Sequence, residues 1–433
     1  MPSAKSMFEV RLVNLMRLLS VPDGRLELAT QRCREYTCRN DFAQFATVKH
    51  IVGRLYGGQH IVVELKKRTL DEVKALSGEE AIEIWRQAGI VGAGGGGFPT
   101  YFKYKNPQPR LIVNCTESEP GYWADKMVHR EYFDEFLELY EAMKAIFGIE
   151  EIIMGVHFKD EEWFSRYKEN ADGLYEVSLV PDKYSMGEEK TLIKNIFYED
   201  KEKWVPRRME TPDGSKRPGL PLDAGHIVNN SETLLNMYNA LFFGKPVTTK
   251  YLQVYGPDLP LKLYEAPLGA SATELLKLSG LDVEAEAGKL SVIDGGPYLN
   301  EMGIESLGDG DAFVRRTTNG FLVIPKDVAS KEYADIKTKL PEEGIISLVG
   351  KVSGVNLPLG GRFLKPATAL VSEGDEVEYE QKIGEPADEG FSIGVWASME
   401  GTISSIEDEV VAISAGESFK QEAEAEAEAE AAR

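Results

Sequence analysis

The sequence predicts an α/β domain built on a mainly parallel sheet, followed by a small β-rich domain with one helix and then an all-β domain. Strand-like and helix-like segments alternate between residues 110 and 197, the pattern of a parallel sheet covered by helices. From residue 248 the texture changes to short strands separated by Gly turns. From 345 to 415 apolar and polar residues alternate between Gly turns, the period of half-buried strands. At 433 residues the chain is also too long for one ordinary core.

Residues 1–75 form an N-terminal region with no motif that assigns a role; "QHIVVEL" (59–65) reads as a strand. "SGEEAIEIWRQAG" (77–89) reads as a helix with Ser77 as N-cap, Glu80 three residues on and Gly89 as the stop. "RLIVNCTE" (110–117) is a buried strand ending in polar residues, and "REYFDEFLELYEAMKAIFG" (130–148) an amphipathic helix closed by Gly148. "EEIIMGVH" is a strand, "DEEWFSRYKENA" a helix, "YEVSLVP" a strand and "GEEKTLIKNIF" (187–197) a helix. In such sheets ligands sit beyond the carboxyl ends of the strands, where "LIVN" and "VSLVP" run into polar residues. The end of the chain (416–433) is an acidic low-complexity tail, expected as a solvated, fraying helix or a disordered segment.

Composition removes several function classes. A net charge of −22 disfavours nonspecific nucleic-acid binding, which needs a basic surface. No uninterrupted apolar stretch has the length of a membrane span. Glu9, Arg11, Asn14 and Arg17 break the apolar N-terminus, which reads as an amphipathic element rather than a signal peptide, so a cytoplasmic protein is expected. Three cysteines, Cys33, Cys38 and Cys115, cannot supply a four-Cys site, so no metal or iron–sulfur centre of that kind is expected within the chain. Cys33 and Cys38 read as a redox pair, as half of a shared cluster site, or as two ordinary thiols near a helix.

Four stretches carry polar groups of the kind a phosphate-bearing cofactor uses. "GAGGGGFPTYFK" (92–103) is either a linker or a loop whose bare backbone cradles a ligand, with Lys103 to neutralise a phosphate. "NCTESEPG" (114–121) places Asn114, Glu117 and Glu119 at a strand end, where carboxylates are commonly just solvated. "YSMGEEKTL" (184–192) enters a helix with an acidic first turn, which its dipole favours. "HIVNNSETLLNM" (226–237) offers Asn229, Asn230 or Ser231 as a helix N-cap.

In this order and spacing, the four stretches closely resemble the flavin-carrying subunits related to the NADH-binding subunit of respiratory complex I, the C subunit of the Rnf electron-transport complex and the cobalamin reductase of propanediol utilisation. The matching residues are the Gly loop with Lys103; Asn114, Glu117, Glu119 and Pro120; Gly187, Glu188, Glu189 and Lys190; and Val228 to Thr233. The resemblance implies an FMN-binding parallel-sheet domain over 76–247, a β-grasp (soluble-ligand-binding) domain over 248–335 with "GGPYLNEM" as its turn, and a barrel-sandwich domain over 345–415. The last also resembles biotinyl and lipoyl carriers, but its tip "ASMEGT" (397–402) has Met399 and Glu400 and no Lys to modify.

By resemblance the cofactor is FMN, held by Gly92, Gly94, Gly95, Gly96, Lys103, Asn114, Glu117, Tyr184, Gly187, Glu188, Asn229 and Asn230. Phe98, Glu119 and Glu189 would meet NADH as electron donor. The flavin would carry the chemistry, and electrons would pass to other redox subunits or a reductase, an iron–sulfur or flavin protein, within a hetero-oligomer. A non-enzymatic docking subunit with a degenerate flavin site is the rival expectation. The chain departs from the complex I pattern at Thr116, where those relatives have Asp, and at Ala93, where they have Arg. Their adenine-stacking aromatic falls near Asn106, leaving Tyr101, Phe102 or Tyr104 as substitutes.

Overall fold

The computed structural model describes residues 63–416 except Ser118, Asp213, Ala287, 297–303 and 307–311, and gives 304–306 as backbone. Cys33, Cys38, most of the segment 59–65, most of the "GGPYLNEM" turn and residues 417–433 lie outside the described residues. From Leu65 onward the chain forms one compact unit.

The first layer is a parallel sheet of β1 (Arg110–Asn114), β2 (Glu151–His157), β3 (Glu176–Val180) and β6 (His226–Asn230), in the order β3-β2-β1-β6. Two short strands, β4 (Arg208–Glu210) and β5 (Lys216–Pro218), form a separate hairpin between β3 and β6. Ile112, Ile153 and Val228 from three of the parallel strands bury one face against Leu192 and Ile193 of the helix Glu189–Ile196.

The helix Gly78–Gln87 has the expected reciprocal capping: Glu80 N donates to Ser77 Oγ at 3.2 Å and Ser77 N to Glu80 Oε2 at 2.9 Å. It stops as expected at Gly89, with φ +84°. The helix expected over 130–148 is in fact two, Ala124–Glu131 and Phe133–Phe147, because Tyr132 leaves helical geometry at φ −114°, ψ 39°. The helix expected over "DEEWFSRYKENA" shortens to Ser165–Glu169, behind a 3₁₀ turn (Phe158–Asp160) in which Asp160 is drawn inward to Lys126. Residues 65–75, grouped by sequence with the N-terminal region, pack on this domain: Arg68 N donates to Phe242 O at 2.8 Å, and Lys74 pairs with Glu141 at 3.2 Å.

The second sheet comprises β7 (Thr249–Tyr255), β8 (Lys262–Pro267), β9 (Leu290–Asp294), β10 (Ile304–Ser306), β11 (Gly320–Pro325) and β12 (Ile345–Ser347). Its order is β10-β9-β11-β7-β8-β12. A β7–β8 hairpin, then the helix Ala272–Leu278, then a late strand β11 returning parallel to β7 is the β-grasp arrangement. Ile345–Ser347 pairs with β8, so this stretch, expected in the third domain, belongs to the second sheet.

The third domain begins at Gly354. Gly354–Pro358, Val410–Ser414, Gly401–Glu407 and Glu376–Val377 form one antiparallel sheet; Thr368–Ala369, Lys382–Glu385 and Val395–Trp396 form another. Its alternating sequence therefore builds two small sheets. The domain docks on the end of the helix Gly78–Gln87, whose last carbonyls lack helical partners. Gly394 N donates to Arg86 O at 2.9 Å, and Trp396 Nε1 to Gln87 O at 2.8 Å. The tip residue Met399 is buried, and Ser398 Oγ donates to Leu268 O at 2.6 Å, so the tip is packed rather than presented for modification.

Candidate functional site

In the parallel sheet β2 and β3 lie on one side of β1, while β6 returns on the other. The strand order reverses between β1 and β6, which run parallel, and the crevice at the carboxyl ends of such a strand pair is where open α/β sheets bind ligands. The register sets Asn114, the last residue of β1, directly beside Asn230, the last residue of β6.

The Gly loop packs against that end. Gly92 N donates to Phe98 O at 2.8 Å and Gly97 N to Gly92 O at 3.0 Å, so it is a closed loop rather than a linker. Gly95 and Gly97 hold φ of +94° and +66°, which side-chain-bearing residues rarely adopt. A Cβ on Gly94 would meet the Asn230 side chain at 3.2 Å. Ala93 N donates to Thr233 Oγ1 at 2.9 Å, tying the loop to the helix Ser231–Tyr238.

Asn114 Nδ2 donates to Gly187 O at 3.0 Å, and the Thr116 hydroxyl reaches both Asn114 Oδ1 (2.6 Å) and Met186 O (3.0 Å). Asn230 Oδ1 caps the following helix by accepting from Thr233 N at 3.2 Å. Its Nδ2 faces Asp125 yet is buried without a hydrogen bond of acceptable geometry. Asn229 Nδ2 donates to the Tyr104 hydroxyl at 2.5 Å and its buried Oδ1 is unpartnered. Lys103 Nζ donates to Val228 O at 2.6 Å and pairs with Glu189 Oε1 at 3.1 Å. Glu188 is exposed and caps the helix Glu189–Ile196 through Thr191 N at 2.8 Å, so its carboxylate has a structural partner.

Glu117, Glu119 and Tyr184 line a cavity of about 620 Å³ with Lys126 and Asp160. Glu119 Oε1 accepts from the Tyr184 hydroxyl at 2.9 Å, and a Cβ on Gly296 would collide with Glu119. Lys126 Nζ lies 3.0 Å from Asp160 and 3.6 Å from Glu117. Burial pushes the Glu117 carboxyl upward, opposed by Lys126 and by the Lys126 N–H that donates to its Oε1 at 2.9 Å.

Phe98 leads from the Gly loop into an aromatic cluster. It packs against Phe102, Phe363 and Phe391 at ring-centroid distances of 6.0, 5.8 and 5.6 Å, joining the Gly loop to the third domain. Tyr101 and Tyr104 are 2% and 1% exposed, too enclosed to stack on an adenine; of the three substitutes only Phe102 borders this cluster.

Residues 85–239 match the family model described as the Nuo51 FMN-binding domain, and residues 337–420 the one described as the RnfC barrel sandwich hybrid domain. The chain thus carries, in this order, segments similar to a Nuo51 FMN-binding domain and to an RnfC barrel sandwich. Relatives include the cobalamin reductase PduS of Citrobacter freundii, 28% identical over 266 residues, 61% of this chain and 53% of that protein. The C subunit of the ion-translocating oxidoreductase complex of Vibrio cholerae is 30% identical over 234 residues, 53% of this chain and 28% of that protein. The chain thus spans about half of the first relative and little more than a quarter of the second. An NAD⁺-reducing [NiFe]-hydrogenase in its H₂-reduced state aligns with a TM-score of 0.43 and 19% identity, over 66% of this chain and 57% of that one. Among the described residues no helix is long and apolar enough to cross a membrane.

Sequence reasoning missed three features of the Nuo51-type domain. Thr233 anchors the Gly loop, and "VNNSET" contained that signal. Glu232 and Lys250 form a buried ion pair between the helix Ser231–Tyr238 and β7, which no local pattern announces. Asp125, with its carboxyl raised to about 6 by burial, sits behind Asn230.

Cys115 is buried in the core, its Sγ 3.2 Å from His129 Nε2. Burial drives the His129 imidazole down to about 3, so the native state keeps it neutral while the unfolded chain takes up a proton below about 6.5. Stability therefore falls as pH drops through that window. His129→Phe is expected to lose about 2 kcal/mol less than the unsubstituted protein between pH 7 and pH 5, read by urea unfolding at both values. Equal losses would show that His129 does not titrate this way.

Proposed function

We propose that this chain is an FMN-dependent electron-transfer subunit that oxidises NADH and passes the electrons to a partner redox protein or reductase. The observation that carries it is the pairing of Asn114 with Asn230 at the switch point, with the bare backbone of Gly94 packed so closely on Asn230 that a Cβ there would crowd its side chain.

The residues fit a flavin mononucleotide. Asn229 Oδ1 is a buried polar atom without a hydrogen-bond partner, a costly arrangement that a ligand's N–H group would relieve. Of the loop glycines, Gly94 lies against Asn230 at this end of the sheet, which Asn114, Tyr184, Gly187 and Glu188 also border, while Gly95 and Gly96 line another cavity. When bound, the flavin supplies hydride acceptance and stepwise electron release. The chain's own task is to orient it and exclude water. Lys103 would neutralise phosphate, in exchange for part of its bond to Glu189. The buried Glu117, tied to Lys126, would fix the wall beside the site, and Glu119 and Glu189 would meet the donor. The multi-protein oxidoreductase complex named for one relative supports a hetero-oligomeric setting.

The visible spectrum tests the reading. Purified protein is expected to show flavin absorbance, and anaerobic NADH is expected to bleach it within seconds to minutes. A colourless protein that FMN cannot reconstitute overturns the flavin, favouring the docking-subunit reading, in which Lys103 and Glu189 simply serve each other. A yellow protein that NADH leaves yellow overturns the donor and leaves a relay fed by a partner.

A further inference from the structure

The Gly loop has two sides. Gly94 faces Asn230, whereas Gly95, Gly96 and Gly97 line a separate cavity of about 480 Å³. Its other walls are the turn Arg315–Thr318, the loop carrying Arg362 in the third domain, and the hairpin turn of Asp408 and Glu409.

Three guanidinium groups, Arg315, Arg316 and Arg362, border this space in a chain whose net charge is −22. None of them has an ion pair among the described residues. Arg316 is the most constrained: its Nε is buried without a hydrogen-bond partner, and burial alone lowers its pKa to about 10, still charged at neutral pH. Arg316 is half-buried with no counter-charge, and its unmet buried Nε–H is a donor that an anionic ligand entering the cavity would satisfy. The turn is fixed in advance. Arg315 N donates to Thr318 Oγ1 at 3.1 Å, and that hydroxyl reaches Asp294 Oδ2 at 3.1 Å. A Cβ on Gly96 would meet no atom within 4 Å, so the loop leaves room for a bound group. Leu268, Val314 and Leu357 add an apolar wall. Asp408 and Glu409 leave the cavity with one positive charge in excess.

We propose that this cavity is a second ligand site, which binds an organic phosphate through Arg316, Arg315 and Arg362 and seats its apolar part against Leu268, Val314 and Leu357. Guanidinium forks match phosphate oxygens bidentately, and a doubly charged phosphate answers several of them at once, as a single carboxylate does not. The site is built from the β-grasp and barrel-sandwich domains as much as from the Gly loop, and does not rest on the flavin reading.

The test is calorimetric titration of ADP and inorganic pyrophosphate into the full-length protein saturated with FMN, or into the protein as purified if it binds none. One-to-one binding of ADP, and weaker binding of pyrophosphate, is expected. Arg316→Ala is expected to weaken ADP at least tenfold, and Lys168→Ala, which removes an exposed cation from a different cavity, to leave it unchanged. Arg362→Ala, at an exposed rim position where folding is not at stake, is expected to weaken it at least threefold. No binding of either probe, affinity unchanged in both arginine variants, or equal weakening in Lys168→Ala would each overturn the proposal.

Discussion

Lys250→Met is expected to destabilise the protein by about 3–5 kcal/mol in urea unfolding at pH 8, the usual cost of removing one partner from a buried ion pair. Lys250 and Glu232 are 2% and 1% exposed at their side chains, and their contact joins β7 to the helix that follows Asn230. Without Lys250, Glu232 keeps the Tyr251 N–H at 3.0 Å but no cation. Burial already raises the Glu232 carboxyl to about 7, with Lys250 opposing it, so the variant's carboxyl rises further. A raised folded-state carboxyl contributes stability at low pH that is lost as pH rises through its folded value. The defect is therefore expected to grow from pH 6 to pH 8. Adding Glu232→Gln, which preserves an acceptor for Tyr251 N, is expected to recover most of the loss and flatten its pH dependence. A single-variant loss below about 1 kcal/mol would mean that this pair behaves as a solvated surface pair.

That pair also marks how far the sequence could be read. The parallel sheet was legible because "RLIVN", "EIIMGVH" and "EVSLV" are apolar runs separated by helical patterns, and their parallel pairing followed from alternation. The capped helix at Ser77 was legible because capping is local chemistry over four residues. The break at Tyr132 was not: the apolar period runs through it, and the turn depends on tertiary contact, including the 2.8 Å bond from its hydroxyl to Tyr251. The motifs named the polar residues at the crevice but not their partners. Lys103 meeting Glu189 and Phe98 packing on Phe363 and Phe391 each depend on segments far apart in sequence. Nor did local pattern show that Ile345–Ser347, next to the third domain in sequence, pairs with the edge strand β8 of the second sheet.

Lys103→Ala is expected to raise the dissociation constant for FMN roughly ten- to hundredfold, the worth of one charge-assisted contact to phosphate. The side chain is only 15% exposed but its partner Glu189 is 41% exposed, so the pair itself contributes little to folding and the variant is expected to unfold near the wild-type midpoint. Loss of flavin in Lys103→Ala has two possible origins, which Glu189→Gln separates. If Lys103 works by neutralising phosphate, removing the competing carboxylate frees the ammonium, and FMN is held as tightly or more tightly. If Lys103 works only by fixing Glu189 and the start of the helix Glu189–Ile196, both variants lose flavin alike. The bond from Lys103 Nζ to Val228 O at 2.6 Å persists in Glu189→Gln, so the ammonium stays at the end of β6 in that variant. Fluorescence titration of FMN into the three proteins decides between them, and unchanged affinity in Lys103→Ala would remove Lys103 from the site.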